Sequence, residues 1–154
     1  MAKKVRPIPK GYHTVTPSLT QESAQRTIDF CKQAFGAKLR MKIAGPSGRI
    51  MHAEIQIGDS VVMLTDAIRD PAEPASLFLY VEDVDKAFAR AVKAGATPVM
   101  PPANMFWGDR FGALTDPFGN KWALATHVED VTPREMKKRQ AKAVAEFGAG
   151  SGPA

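Results

Sequence analysis

Ala34-Phe35-Gly36-Ala37 closes a stretch of helical periodicity that begins near Glu22, and Ala94-Gly95-Ala96 closes another that begins near Asp83. The two glycines are 59 residues apart. Each is followed by an extended stretch and a second glycine turn. These turns are Ile57-Gly58-Asp59-Ser60 and Phe118-Gly119-Asn120-Lys121, with their glycines 61 residues apart. Strand-like runs follow at Val61–Thr65 and Trp122–Thr126. The same order at a nearly constant offset marks two copies of one supersecondary unit.

Working outward, Gly11–Leu19 reads as a strand and Glu22–Phe35 as a helix, with Ala24, Ile28, Cys31 and Phe35 on one stripe. Lys38–Ile43 reads as a strand ending at Gly45-Pro46-Ser47-Gly48. Ile50–Ile57 and Ser60–Thr65 form a hairpin across Gly58-Asp59. The second copy gives strand Ser76–Val81, helix Asp83–Ala94, and strands at Thr97–Met100, near Arg110–Thr115 and at Lys121–His127. Thr132-Pro133 has the chemistry of a helix start, and Met136, Gln140, Val144 and Phe147 form a weak stripe behind it. The expected layout is an N-terminal arm (1–10) and one domain (11–130) made of modules 11–66 and 76–130 joined by a linker (67–75). A C-terminal helix (131–147) and a disordered tail (148–154) complete it. Each module reads βαβββ, so the fold class is α+β.

A chain of 154 residues holds one sizeable core or two small halves sharing one. No apolar run approaches the roughly 18 residues of a membrane span, and the basic N-terminus has no apolar segment behind it. Cys31 is the sole cysteine, which excludes an internal disulfide and suits a cytoplasmic protein with a buried thiol. The net charge of +5 is concentrated at the ends, in Lys3, Lys4, Arg6 and Lys10 and in Arg134, Lys137, Lys138 and Arg139. Such ends are ordinarily solvated, and no zinc-finger spacing or RNA-binding motif accompanies them, so neither nucleic acid nor membrane is an expected partner.

Counting back from the hairpin turn pairs Ile57 with Ser60, Ile55 with Val62 and Ala53 with Leu64, an apolar face suited to lie under a helix. The other face pairs Gln56 with Val61, Glu54 with Met63 and His52 with Thr65. Likewise Leu77, Leu79 and Val81 alternate with Ser76, Phe78 and Tyr80, and Val15, Pro17 and Leu19 with Thr14, Thr16 and Ser18. One side of each sheet is greasy. The other mixes hydroxyls, aromatics and charges, as a ligand cleft does. The competing reading, a plain solvent-exposed face, leaves Met63, Phe78 and Tyr80 in water.

Several motifs in this order resemble the vicinal oxygen chelate superfamily of glyoxalase I, bleomycin-resistance proteins and extradiol dioxygenases, and within it the PhnB-like branch. They are Ile28-Asp29-Phe30, Met51-His52-Ala53-Glu54-Ile55, Tyr80-Val81-Glu82-Asp83-Val84-Asp85, Phe106-Trp107-Gly108-Asp109-Arg110-Phe111-Gly112, Asp116-Pro117-Phe118-Gly119 and Trp122-Ala123-Leu124-Ala125-Thr126-His127. The matches cover about residues 11–130, with Cys31 standing where the family usually has Tyr. The resemblance implies paired βαβββ modules forming a curved, cleft-bearing mixed sheet, with the cleft often completed by dimerisation into a homodimer.

Metal-dependent members carry four His, Glu or Gln ligands on the inner face. Transferring those positions gives Thr16, Met63, Ser76 and Ala123, none a usual ligand for a hard divalent cation. No metal site of that kind and no cofactor are therefore expected. The expected pocket is lined by Thr16, His52, Glu54, Met63, Ser76, Phe78, Trp107 and Arg110. Within it Glu54 and His52 are the best catalytic candidates, Glu54 with a pKa raised by partial burial toward a general-base range. Trp107 offers a stacking surface and Arg110 a bidentate fork, held by Asp109. A competing reading makes Glu54 a structural partner of Arg49 or Arg110.

The favoured function is binding of an unidentified small molecule. The alternatives are a lyase, isomerase or dioxygenase using a displaced metal at His52 and Glu54, and a structural or regulatory dimer with a vestigial pocket. No glycine-rich motif for S-adenosylmethionine is present.

Overall fold

The computed structural model describes Met1 and residues 3–150. Three residues set the helix starts by the same device. Ser23 Oγ accepts from Arg26 N, Asp83 Oδ1 from Lys86 N and Thr132 Oγ1 from Glu135 N, each satisfying an otherwise orphaned amide. The helices are α1 (Ala24–Phe35), α2 (Val84–Lys93) and α3 (Pro133–Gly150). Gly36 ends α1 in the left-handed region at φ 66°, a conformation that costs other residues strain.

The strands are β1 (Ser18–Gln21), β2 (Lys38–Ala44), β3 (Ile50–Ile57), β4 (Ser60–Asp66), β5 (Ser76–Tyr80), β6 (Thr97–Asn104), β7 (Asp109–Thr115) and β8 (Lys121–His127). They form two four-stranded mixed sheets, ordered β1-β4-β3-β2 and β5-β8-β7-β6. Each has one parallel pair, β1 with β4 and β5 with β8. The architecture is the expected α+β fold of two βαβββ modules with a C-terminal helix. The hairpin pairs Ile57 with Ser60 through Ala53 with Leu64, and the ladder stops there, so His52 has no partner on β4. Thr65 instead turns its hydroxyl to the Met51 carbonyl, 3.0 Å away.

The first strand departs from expectation: β1 begins at Ser18, not Gly11. The segment before it contains Pro17, whose carbonyl accepts from Met63 N at 2.9 Å while its own nitrogen has no hydrogen to donate. The C-terminal helix reaches Gly150, so residues 148–150 of the expected tail are helical, and residues 151–154 lie outside the described residues.

One apolar core joins the two modules. Ile28, Ile55, Leu64, Leu114, Trp122 and Leu124 are essentially inaccessible to solvent. Each such side chain contributes on the order of 1.5–3 kcal/mol on burial. Phe35 of α1 meets Trp122 of β8 at a ring separation of 4.8 Å, and Arg90 of α2 donates to the Gln33 carbonyl of α1. Below them the Asp116 carboxylate accepts from Trp122 Nε1 at 3.0 Å and from Asn120 Nδ2 at 2.8 Å. Among the described residues, no buried side-chain nitrogen or oxygen lacks a hydrogen-bond partner.

Candidate functional site

With Ala53 and Ile55 in the core, alternation along β3 puts Glu54 on the opposite, inner face of the first sheet, between Met41 of β2 and Met63 of β4. A bulge between Leu39 and Met41 brings Arg40 to the same side. Its guanidinium lies 5.2 Å above the Tyr12 ring and 3.8 Å from Glu54 Oε2. His52 Nε2 is 3.0 Å from Glu54 Oε1, and the Tyr12 hydroxyl also bonds the carboxylate. Tyr12 first and His52 second hold the Glu54 carboxyl below its usual range, against the opposing effect of burial. The expected raised pKa is therefore corrected: buried Glu54 is a held carboxylate, because Tyr12, His52 and Arg40 all favour its charged form. Its cationic neighbour is Arg40; Arg49 donates instead to the Ala67 carbonyl.

The second sheet carries a similar cluster, which the sequence reading did not single out. Asp109, buried at the start of β7, accepts from the Tyr80 hydroxyl at 2.9 Å and from Trp107 Nε1 at 3.0 Å, both on Oδ2. His127 Nδ1 lies 2.8 Å from its Oδ1. Burial is the largest single influence on Asp109 and raises its pKa, but His127, Tyr80 and Trp107 together bring the net result below the ordinary value. His127 is raised by Asp109 first and then by Asp130, which takes its other nitrogen at 2.7 Å. Around this carboxylate Phe78 meets Tyr80 at 5.1 Å and Phe111 at 5.7 Å, and Phe111 meets Trp107 at 6.1 Å. Phe78 is 48% exposed and Tyr80 66%.

The eight expected pocket residues fall into separate groups. His52, Glu54 and Met63 share the first sheet's inner face. Thr16, Ser76 and Phe78 line one groove of about 320 Å³ between the modules. Thr16 lies before β1 and donates to the His13 carbonyl. Trp107 joins the Asp109 cluster. Arg110 is on the other face: it clamps Asp85 of α2 through Nε at 2.7 Å and Nη2 at 3.0 Å. It is thus neither in the pocket nor held by Asp109. The cause is register. A turn leaving Asp116 opposite Lys121 would set Arg110 against His127. Here Asp116 Oδ1 accepts from both Phe118 N and Asn120 N, the turn takes five residues, and Thr115 pairs with Lys121. Asp109 therefore pairs with His127, and the slip exchanges Arg110 for Asp109 on the inner face.

Residues 12–124 match the family model of the Glyoxalase/Bleomycin resistance protein/Dioxygenase superfamily. The chain belongs to this superfamily. The Mycobacterium bovis protein Mb0911c, itself uncharacterised, is 35% identical over 135 residues, covering 80% of this chain and 89% of its own. Rv0887c of Mycobacterium tuberculosis H37Rv, also uncharacterised, is 35% identical, covering 80% of this chain and 79% of its own. Among solved structures, TioX from Micromonospora sp. ML1 superposes with a TM-score of 0.65 at 25% identity, over 75% of this chain and 99% of TioX. The PhnB protein from Bacillus cereus superposes with a TM-score of 0.61 at 19% identity, over 74% of this chain and 99% of that one.

Of the four positions transferred from the superfamily's metal sites, Thr16, Met63, Ser76 and Ala123, two have ladder partners outside that set. Ser18 lies opposite Met63, and Phe78 opposite Ala123. Hydroxyl, thioether, phenyl and methyl groups do not fit a hard divalent cation. The displaced alternative supplies only two ligands, His52 and Glu54, and the Arg40 guanidinium stands 3.8 Å from that carboxylate, which disfavours a second cation there. Among the described residues, no group of three or more His, Cys, Asp or Glu side chains is arranged to hold a metal ion. Likewise, no helix among them is long and apolar enough to cross a membrane.

The arrangement suits stacking and hydrogen bonding of an organic ligand. The sequence did hold signals for the missed residues. Tyr80 shares the inner alternation with Phe78, and Asp109 sits inside the Trp107–Gly112 motif. Their convergence on one carboxylate depends on the β7–β8 register.

Proposed function

We propose that this superfamily member is a small-molecule-binding protein that works as a homodimer without a chelated metal. One observation carries the reading: Phe78, Tyr80, Trp107 and Phe111 form an open aromatic wall around the buried Asp109 carboxylate. Rings left half in water gain from covering by a flat apolar ligand, and ring pairs add about 0.5–1.5 kcal/mol beyond the buried area. Asp109 fixes Tyr80 and Trp107 in place, so the wall is organised before a ligand arrives. Met41 and Ile43, half-exposed on the inner side of edge strand β2, give a second copy an apolar surface to cover and close the cleft.

The test is a thermal-shift screen of planar aromatic molecules, with Trp107 fluorescence as a second readout and sedimentation for the assembly state. Binders that raise the melting temperature of the wild type and fail with Tyr80→Ala and Phe78→Ala support the proposal. A blank screen, or binding indifferent to both changes, refutes the site. A monomer at all concentrations refutes the dimer.

A further inference from the structure

We propose a separate binding site for organic monocarboxylates at the opposite end of the first module. A half-open pocket of about 560 Å³, within the usual range for small-molecule sites, lies between the β2–β3 turn and the segment following β4. Its lining shares no residue with the aromatic wall around Asp109.

The cavity is built by hydrogen bonds rather than left by a loose loop. Gly48 N donates to the Gly45 carbonyl at 2.9 Å and Gly45 N to the Arg49 carbonyl at 2.8 Å, closing the turn. Arg49 Nη2 reaches the Ala67 carbonyl at 3.0 Å and ties the turn to the opposite side. The Thr65 hydroxyl holds the Met51 carbonyl at 3.0 Å.

Its chemistry is divided. Met51 and Ile68, 57% and 49% exposed, are apolar side chains facing water in the lining. Beside them are two guanidinium groups, Arg49 and Arg69, and two carboxylates, Asp66 and Asp70. Asp66 is already committed: Oδ1 accepts from Ala24 N at 2.7 Å and Oδ2 from Ile50 N at 2.8 Å, at the positive end of α1. Formally the lining is balanced, two arginines against two aspartates. Arg69 has no hydrogen-bond or ion-pair partner among the described residues. A guanidinium fork matches a carboxylate in plane and in charge. One unpartnered guanidinium beside an apolar surface matches a singly charged carboxylate with a hydrophobic body, whereas a phosphate dianion would bring a second negative charge toward Asp66 and Asp70.

The probe is benzoate, titrated into the full chain labelled with ¹⁵N, with neutral benzamide and inorganic phosphate in parallel. Saturable shifts are expected at the amides of Ser47, Gly48, Ile68 and Arg69 with benzoate, and not with the other two. Arg69→Gln, whose fold is checked by its unchanged spectrum elsewhere, is expected to weaken benzoate about tenfold, the loss of one charge-assisted contact. Asp70→Asn is expected to tighten it, since a like charge leaves the rim. Benzamide or phosphate binding as well as benzoate, or an Arg69→Gln affinity equal to wild type, overturns the assignment.

Discussion

Gln21 and Asn120, separated by 99 positions in the chain, exchange two buried side-chain hydrogen bonds. Gln21 Nε2 donates to Asn120 Oδ1 at 3.2 Å, and Asn120 Nδ2 donates to Gln21 Oε1 at 2.7 Å. Thr27 Oγ1 donates to the same Gln21 oxygen, and Ala75 N to the same Asn120 oxygen. The pair therefore links the start of the first module to the last turn of the second. Asn120→Ala strips Gln21 of two of its buried bonds and leaves the Ala75 amide without its acceptor, and is expected to destabilise by roughly 3 kcal/mol. Chemical denaturation of both alanine variants and their double variant is expected to reveal a coupling of about 1 kcal/mol. Simple additivity of the two losses would show that the pair does not act as a unit.

Gly108→Ala is expected to cost more than about 1 kcal/mol. Gly108 sits at φ 103°, and an added Cβ would collide with the Glu129 carbonyl oxygen. Its own carbonyl accepts from Val128 N and Glu129 N. Beside that contact Arg139 of α3 bonds Glu129 and the Phe106 carbonyl. Relief of the collision therefore has to move the Trp107 loop or the start of α3. Denaturation midpoints together with Trp107 fluorescence check this, and a variant with wild-type values in both would contradict it.

His127 predicts a pH dependence of definite sign. Its folded pKa is raised above the ordinary 6.5, by Asp109 first and Asp130 second. The stabilisation is complete below the unfolded value and fades as pH rises through the higher folded value. The stability gap between wild type and His127→Gln should thus be larger near pH 5.5 than near pH 8.5. Asp109, held below its ordinary range, stays ionised throughout that window. A gap that is flat or widens toward alkaline pH would count against the His127–Asp109 pair.

Cys31 lies in the core with its thiol pushed up to about 12 by burial first and the Asp116 charge second. Thiolate is the reactive form, so the native chain should resist iodoacetamide at neutral pH and label only when denatured. Rapid labelling of folded protein, followed by mass spectrometry, would show that the α1 face is open.

The two-module plan was readable because it rests on local signals. Asp83 and Thr132 announce two helix starts, Gly36 stops one helix, and Gly58-Asp59 fixes the hairpin register that places Glu54 opposite Met63. The first strand was overextended because its alternating residues resemble a strand whether or not a neighbour pairs with them. The state of Glu54 was misjudged for another reason. Burial by itself raises a carboxylate pKa, and only the arrival of Tyr12, His52 and Arg40 reverses the sign.

By itself the sequence determined the order of elements and the greasy face of each sheet. Both follow from neighbours a few residues apart. Tertiary structure alone decided that Asp109, and not Arg110, joins Tyr80, Trp107 and His127, and that Arg49 and Arg69 share a cavity. The β7–β8 choice turns on how many residues the Asp116 carboxylate captures in one turn. The cavity depends on hydrogen bonds between segments that no periodicity connects.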